Sequence, residues 1–187
     1  MTAPASRSFY LVRHCRATGQ APDAPLTPEG MAQAGLLADL LAPRGIARIL
    51  SSPFVRARDS IAPLAAWLGI AVETDDRLIE RVLTTEPLPD WRLHLARSFD
   101  DDDYCLAGGE SSRAATARAA AVMEEARQHP APATVIVTHG NLLALLLRHC
   151  DGRDGFAAWE ALTNPDAYCV IFEEPPQPIV RLWTLTK

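Results

Sequence analysis

Two histidines and two arginines stand where predicted strands end or a predicted helix begins. Arg13 and His14 follow a short apolar run near the N-terminus, and His139 follows a β-branched run. Arg56 falls in the first turn of a predicted helix. Guanidinium groups bind phosphate oxygens through paired N–H donors, and a neutral imidazole can act as a nucleophile. Together these four side chains could bind and attack a phosphoryl group.

Extended and helical patterns alternate along the chain, and this order of elements predicts where the four residues lie in the fold. The predicted strands cover residues 9–12, 46–50, 70–73, 134–138, 167–172 and 179–184. The predicted helices cover residues 28–41, 53–67, 112–128, 141–149 and 157–162, with a short one near Trp91. Strands that alternate with helices predict an α/β fold with a mostly parallel central sheet covered by helices, a three-layer sandwich. Strand carboxyl ends and helix N-termini share one edge of such a sheet, so the four residues should meet there.

Local signals refine these elements. Thr27-Pro28 and Ser52-Pro53 each combine a capping residue with proline, which predicts a helix start at both places. Four apolar residues of the first helix are predicted to share its buried face: Met31, Ala34, Leu37 and Leu41. Residues 1–187 read as a single domain, with a lid or insert at about 74–109, where the pattern is weakest.

Composition and charge narrow the function classes. The chain has 187 residues, a formal charge of −5 and no block of basic residues, which argues against nucleic-acid or anionic-membrane partners. Four cysteines show neither a CxxC pair nor metal-ligand spacing, so we expect no metal and a reduced, cytoplasmic protein. The longest apolar stretch, 142–147, is too short to cross a bilayer. The only lysine is Lys187, which leaves no P-loop lysine.

Six segments in sequence order resemble the motifs of one family. They are 11–14 (LVRH), 26–30 (LTPEG) with Gln33-Ala34, 51–57 (SSPFVRA), 78–80 (LIE), 108–111 (GGES) and 138–141 (THGN). The family is the histidine phosphatase, or phosphoglycerate mutase-like, superfamily, and the resemblance covers most of the chain. It implies a phosphoglycerate mutase-like fold and a two-step phosphoryl transfer through a phosphohistidine.

The resemblance also implies a role for each motif residue. His14 would be the nucleophile, and Arg13, Arg56 and His139 would hold the phosphoryl oxygens. These cations would occupy the role that Mg²⁺ has in other enzymes, so no metal or cofactor is implied. The alternative for Arg13 and His14, judged alone, is a surface ion pair and a core histidine.

A carboxylate and three further residues complete the implied site. Glu80 would protonate the leaving oxygen and then activate water; the alternative is that it only pairs with Arg77 or Arg81. Gln20, Gly140 and Asn141 are secondary phosphate-binding candidates that the resemblance implies by motif position.

The residues after the nucleophile depart from the family pattern. Cys15 replaces the usual glycine, so its side chain could strain the backbone or crowd the phosphate. Arg16 could add a cation to the site, but we expect it to point to solvent. A cysteine-phosphatase mechanism is rejected because it needs an arginine six residues after the cysteine, where Ala21 stands.

The main functional choice lies between a phosphatase and a mutase. Mutases need extra cations, whereas residues 82–84 (VLT) lack the pattern that follows the acid in the mutase branch. We therefore expect a phosphatase for small phosphomonoesters, that is, small phosphorylated metabolites. Mutase activity stays open because Arg92, His94 and Arg97 could bind a second anionic group. Cys15 and Arg16 keep a third possibility open, a weak or silent phospho-ligand-binding protein. No pattern predicts an oligomeric state.

Overall fold

The computed structural model describes residues 7–172 and 178–184, and its strands form one six-stranded sheet. The strands are β1 (Arg7–Arg13), β2 (Arg48–Ser51), β3 (Val72–Thr74), β4 (Ala133–Thr138), β5 (Asp166–Phe172) and β6 (Val180–Arg181). Their order across the sheet is β3-β2-β4-β1-β5-β6. The first four strands in this order run parallel, and β5 and β6 are each antiparallel to a neighbour. The predicted α/β class with a mostly parallel sheet is confirmed.

Helices cover the sheet on both faces. They are α1 (Pro28–Leu41), α2 (Val55–Leu68), α3 (Trp91–Asp100), α4 (Ser112–Gln128), α5 (Gly140–Asp151) and α6 (Gly155–Ala161), with short 3₁₀ helices at Ala42–Arg44 and Asp76–Leu78. Because strand side chains alternate between faces, Phe9 and Leu11 join the core beneath α4 and α5. Tyr10 and Val12 join the core beneath α1 and α2. Within the described ranges, no helix combines the length and apolar content that crossing a membrane requires.

The two central strands set the position of both histidines. β1 and β4 pair in parallel register, with Arg13 opposite Thr138. The backbone N–H of His14 extends this pairing by donating to the Thr138 carbonyl at 3.0 Å. Leu11, Val12 and the middle of β4 are fully buried, which is why these runs contain no polar residue. His14 and His139 therefore leave the sheet side by side.

Two details of the predicted helices are wrong. Met31 does not belong to the buried face of α1, since it is 59% exposed. The second helix begins later than predicted: Phe54 is its N-cap, and α2 starts at Val55. The hydroxyl of Ser52 accepts the N–H of Phe54 at 3.3 Å. Ser52 therefore forms a turn before the helix rather than its cap.

The 74–109 segment and the C-terminal strands agree less closely with the sequence-based predictions. The 74–109 segment contains the 3₁₀ helix Asp76–Leu78 and α3. Leu78, Leu95 and Phe99 of this segment join the hydrophobic core. Arg81 is 4% exposed, and its guanidinium donates to the hydroxyls of Ser98, within the segment, and of Ser112 on α4. The predicted C-terminal strand pair is present as antiparallel β5 and β6, but the second strand, predicted over residues 179–184, covers only Val180–Arg181. Most of the proline-rich turn between them, residues 173–177, lies outside the described residues.

Candidate active site

His14 is held at the end of β1 with its Nε2 atom directed toward an arginine. The ring is 7% exposed, and Nδ1 lies 2.7 Å from the carbonyl oxygen of Cys15. A carbonyl only accepts hydrogen bonds, so Nδ1 carries the proton and Nε2 has a free lone pair. Arg56 donates Nε–H to that lone pair at 3.2 Å. Nε2 is therefore the atom of His14 that can act as a nucleophile.

The surroundings of His14 keep its ring neutral. Burial is the main cause that lowers the pKa of His14 to about 4, and the charges of Arg56 and Arg13 act in the same direction, against the opposing effect of the Cys15 carbonyl. A protonated imidazole has no lone pair for attack on phosphorus. At neutral pH the ring is thus in the form that nucleophilic catalysis requires.

His139 stands opposite His14 and is completely buried. The two ring centroids are 5.1 Å apart. Nε2 of His139 lies 2.8 Å from the hydroxyl oxygen of Ser52. Burial, together with the neighbouring His14 and Arg56, lowers the pKa of His139 well below its ordinary value. Nδ1 is buried and has no hydrogen-bond partner among the described residues.

The two arginines bring positive charge that no carboxylate neutralises directly. Arg56 is 1% exposed and donates Nη1–H to the carbonyls of Gln20 and Ala21 at 3.0 and 2.8 Å. Arg13 donates Nη1–H to backbone carbonyls at 162 and 163, and its buried Nε has no partner in the part of the chain that the structure describes. Within the described part of the chain, neither guanidinium forms an ion pair. Burial lowers the pKa of both. Both charges suit an incoming anion.

Glu80 is fixed by backbone donors at the start of α5. Its carboxylate accepts N–H groups from Arg81 at 2.9 Å and from Asn141 and Leu142 at 3.1 Å each. A helix N-terminus favours such a negative group. Neither alternative ion pair forms: Arg77 binds Asp75 and an exposed glutamate, and the guanidinium of Arg81 binds serines and a carbonyl. The Glu80 charge also raises the pKa of Arg13 and Arg56 against burial, which places it near both.

The three secondary candidates lie at the same edge with different contacts. Gln20 is exposed, and its backbone carbonyl binds Arg56. Gly140 allows the close approach of Arg13, because a Cβ there would lie 3.1 Å from the guanidinium. The backbone N–H of Asn141 donates to Glu80, while its side-chain oxygen is buried and has no hydrogen-bond partner within the described ranges. Their binding of phosphate stays a prediction.

Cys15 is a packed core residue, and the expected backbone strain is absent. Its thiol is fully buried, and its N–H donates to the Ser60 hydroxyl at 2.7 Å. No non-glycine residue among those described has positive φ. Burial raises the pKa of Cys15 to about 11, so the thiol stays protonated. Arg16 points to solvent and pairs with Glu29 at 2.8 Å, as expected.

The cations of the 74–109 segment already have partners. Arg92 forms an ion pair with Glu160 on α6. Arg97 stacks on the Tyr104 ring at 4.3 Å, and His94 hydrogen-bonds the Tyr104 hydroxyl at 2.5 Å. A second anionic group of a substrate would have to displace these contacts. In the described ranges, no three His, Cys, Asp or Glu side chains cluster closely enough to hold a metal.

The structure adds residues that the sequence analysis did not single out. Ser52 contacts His139, and the Phe54 ring lies 5.0 Å from the same imidazole. Both belong to the SSPFVRA segment, so the motif itself was the available signal. Asn164 donates its side-chain N–H to the carbonyl of His14 at 2.8 Å. It lies 150 positions away, and no local pattern marks it.

Comparisons with known proteins agree with this arrangement. The model of the histidine phosphatase superfamily (branch 1) matches residues 9–186. An uncharacterized protein of Mycobacterium tuberculosis, Rv0525, is 39% identical over 84 residues, which is 41% of this chain and only 42% of that protein. The probable phosphoglycerate mutase GpmB of Yersinia pestis is 31% identical over 157 residues, or 74% of this chain and 72% of that protein. The solved structure of the mycobacterial glucosyl-3-phosphoglycerate phosphatase Rv2419c superimposes with a TM-score of 0.74 at 25% identity, covering 97% of this chain and 100% of that one.

Proposed function

The chain belongs to the histidine phosphatase superfamily, and we propose that it hydrolyses small phosphomonoesters through a phosphohistidine, without a metal. One observation carries the proposal. The unprotonated Nε2 of a neutral His14 accepts a hydrogen bond from Arg56, and the His139 ring lies next to it. A nucleophilic lone pair bordered by unneutralised cations suits a phosphoryl group, whose negative charge is spread over three oxygens. The small phosphorylated metabolite is the partner we propose.

In the first step, the lone pair of His14 Nε2 attacks phosphorus, and the bond from phosphorus to the ester oxygen breaks. Glu80 takes up a proton from solvent when the negatively charged substrate binds beside it and gives that proton to the leaving oxygen, so an alcohol departs. The Nε–H of Arg56 stops donating to His14 Nε2 and donates to a phosphoryl oxygen instead, because the attacking lone pair must be free. Arg13, Arg56 and His139 stabilise the charge on the phosphoryl oxygens.

In the second step, a water molecule attacks the phosphorus of the phosphohistidine. The Glu80 carboxylate takes a proton from that water, and the bond between His14 Nε2 and phosphorus breaks. Inorganic phosphate leaves, and the neutral imidazole is restored with Nδ1 still bound to the Cys15 carbonyl. The same carboxyl group thus acts first as an acid and then as a base.

A mutase remains the second candidate because the probable phosphoglycerate mutase GpmB is 31% identical. A mutase would return the phosphoryl group to a second phosphorylated substrate, which requires free cations near the site. Arg92 and Arg97 are already engaged by Glu160 and Tyr104, which favours the phosphatase. Incubation with bisphosphoglycerate and 3-phosphoglycerate separates the two: free phosphate supports the phosphatase, and 2-phosphoglycerate supports the mutase.

We also propose a cytoplasmic location. All four cysteines have free thiols. Cys15 and Cys169 pack in the same hydrophobic cluster and still form no disulfide. Free thiols suit a reducing compartment.

Hydrolysis of p-nitrophenyl phosphate in the presence of EDTA tests the proposed function. We expect wild-type protein to release nitrophenol at an unchanged rate when EDTA is added. His14→Gln should lose the activity, and His149→Gln, on an exposed residue of α5, should keep it. If wild type and His14→Gln both release nitrophenol no faster than a protein-free blank, a phospho-ligand-binding protein remains; equal release above that blank would contradict a role for His14.

A further inference from the structure

Ser52 is a fully buried serine whose hydroxyl contacts the second histidine of the site. Its oxygen lies 2.8 Å from Nε2 of His139 and accepts the N–H of Phe54 at 3.3 Å. A hydroxyl has one hydrogen to donate. Within the described residues, the only other group in contact with this oxygen is the imidazole. The hydroxyl hydrogen therefore has one available acceptor, Nε2 of His139.

The opposite nitrogen of the ring is in a contrasting position. Nδ1 of His139 is buried and has no partner in the described part of the chain, although nearly all buried polar atoms in proteins have one. The ring faces His14 at 5.1 Å between centroids. The buried Nε of Arg13 also lacks a partner among the described residues. This N–H, and Nδ1 of His139 if it carries the ring proton, would suit an anion bound at His14.

We propose that Ser52 selects the tautomer of His139: its hydroxyl donates to Nε2, so the ring proton resides on Nδ1 and is donated to a phosphoryl oxygen. Ser52 is then a positioning residue, because it acts on the substrate only through His139. The opposite tautomer would leave the Ser52 hydrogen without an acceptor. It would also turn a bare lone pair of Nδ1 toward phosphoryl oxygens, which only accept hydrogen bonds.

The packing around His139 keeps the ring in one orientation. The Phe54 ring packs against it in an edge-to-face arrangement with ring centroids 5.0 Å apart, and the Arg56 guanidinium in turn lies over the Phe54 ring, 4.9 Å from its centre. Burial lowers the pKa of His139, so the ring has only one N–H to place. In a neutral ring held in this orientation, the tautomer decides whether Nδ1 can donate a hydrogen bond to a phosphoryl oxygen.

The proposed consequence for catalysis rests on the proposed function, whereas the tautomer itself does not. Nitrogen-15 NMR of the full chain labelled at histidine therefore comes first, without ligand and with inorganic phosphate. His139→Gln identifies the His139 signals among the five histidines. We expect Nδ1 to be the protonated nitrogen in the wild type in both samples. A proton on Nε2 in either sample would overturn the proposal, whether or not the protein is active.

Substitution of Ser52 then tests the link between serine and tautomer. In Ser52→Ala we expect Nε2 to gain protonated character and kcat to fall about 100-fold, more than KM changes, because the missing donor acts mainly in the transition state. Ser52→Thr, which keeps the hydroxyl, should recover most of both effects. Ser51→Ala is the matched control, since Ser51 is equally buried and its hydroxyl, among the described residues, donates only to the Ser52 carbonyl.

The outcomes separate the two proposals. An inactive wild type with Nδ1 protonated would remove the phosphatase and keep the tautomer assignment. A Ser52→Ala protein that retains both the wild-type His139 spectrum and kcat would remove the role of Ser52. If neither Ser52 variant folds, the wild-type spectrum alone decides the direction of the hydrogen bond. A proton on Nδ1 of His139 means that the Ser52 hydroxyl donates to Nε2, and a proton on Nε2 means that the ring donates to Ser52.

Discussion

Arg56 donates its Nε–H to Nε2 of His14 across 3.2 Å. In the proposed mechanism the same lone pair attacks phosphorus, so Arg56 would have to release it when a phosphoryl group binds. Two carbonyls, at Gln20 and Ala21, hold the Nη1 side of the guanidinium meanwhile. The arginine can therefore exchange one hydrogen bond while its other contacts keep it in place.

Removal of the Arg56 charge should reduce binding and chemistry together. In Arg56→Gln we expect kcat/KM for p-nitrophenyl phosphate to fall about 100- to 1000-fold, because a donor to the phosphoryl oxygens is lost. Steady-state kinetics measures the change. Arg58→Gln is the matched control: Arg58 lies on the same helix and is exposed. A loss of similar size in both variants would mean that helix α2, rather than the Arg56 guanidinium, is responsible.

Substitution of Glu80 should affect poor leaving groups most. In Glu80→Gln the backbone contacts can persist, but the proton for the departing alkoxide is lost. We expect at least about 100-fold slower hydrolysis of an alkyl phosphate and a much smaller loss with p-nitrophenyl phosphate, whose leaving group needs little protonation. Phosphate release with both substrates measures the contrast. Glu86→Gln, in the same segment but exposed, serves as control. Equal losses with both substrates would assign Glu80 a purely structural role.

Acid should destabilise the protein through His14. The pKa of His14 is lowered to about 4 in the folded chain against 6.5 for an ordinary histidine. Between these values the unfolded chain binds the proton and the folded chain does not, so the free energy of unfolding decreases as pH falls through that window. The full effect is about 3 kcal/mol.

His14→Gln removes this proton-binding difference, so urea unfolding at pH 7 and pH 4.5 should show a smaller decrease than in wild type. His139 would still contribute in the same direction, because its pKa is also lowered. His149→Gln should follow the wild type. An identical acid-induced decrease in His14→Gln would show that burial does not suppress protonation of this ring.

Cys15 should matter for stability rather than for catalysis. We expect Cys15→Ala to keep kcat within about twofold and to lower the free energy of unfolding by about 1 kcal/mol through lost core packing. A thiol reagent should modify the exposed Cys105 in the folded protein and reach Cys15 only after unfolding. Faster turnover in Cys15→Ala would indicate that the sulfur crowds the phosphate after all.

The sequence was most informative where chemistry follows directly from the strand order. Arg13, His14 and His139 could be placed at one edge because each directly follows, or ends, a buried parallel strand. Contacts between distant segments left no such signal: Asn164 reaches the His14 carbonyl from 150 positions away. The start of α2 was misjudged because a serine before proline usually caps a helix, whereas Ser52 instead contacts His139. Met31 was misassigned because the helical period allows an apolar residue at the margin of the buried face.

Trapping of the covalent intermediate tests the proposed mechanism most directly. The full-length protein is mixed rapidly with excess substrate, quenched in alkali to preserve phosphohistidine, digested and analysed by mass spectrometry. The mechanism predicts one phosphoryl group on the peptide that contains His14, formed within the first turnover and absent from His14→Gln. A protein that turns over substrate with no phosphoryl group on His14, or with it on another residue, would contradict it.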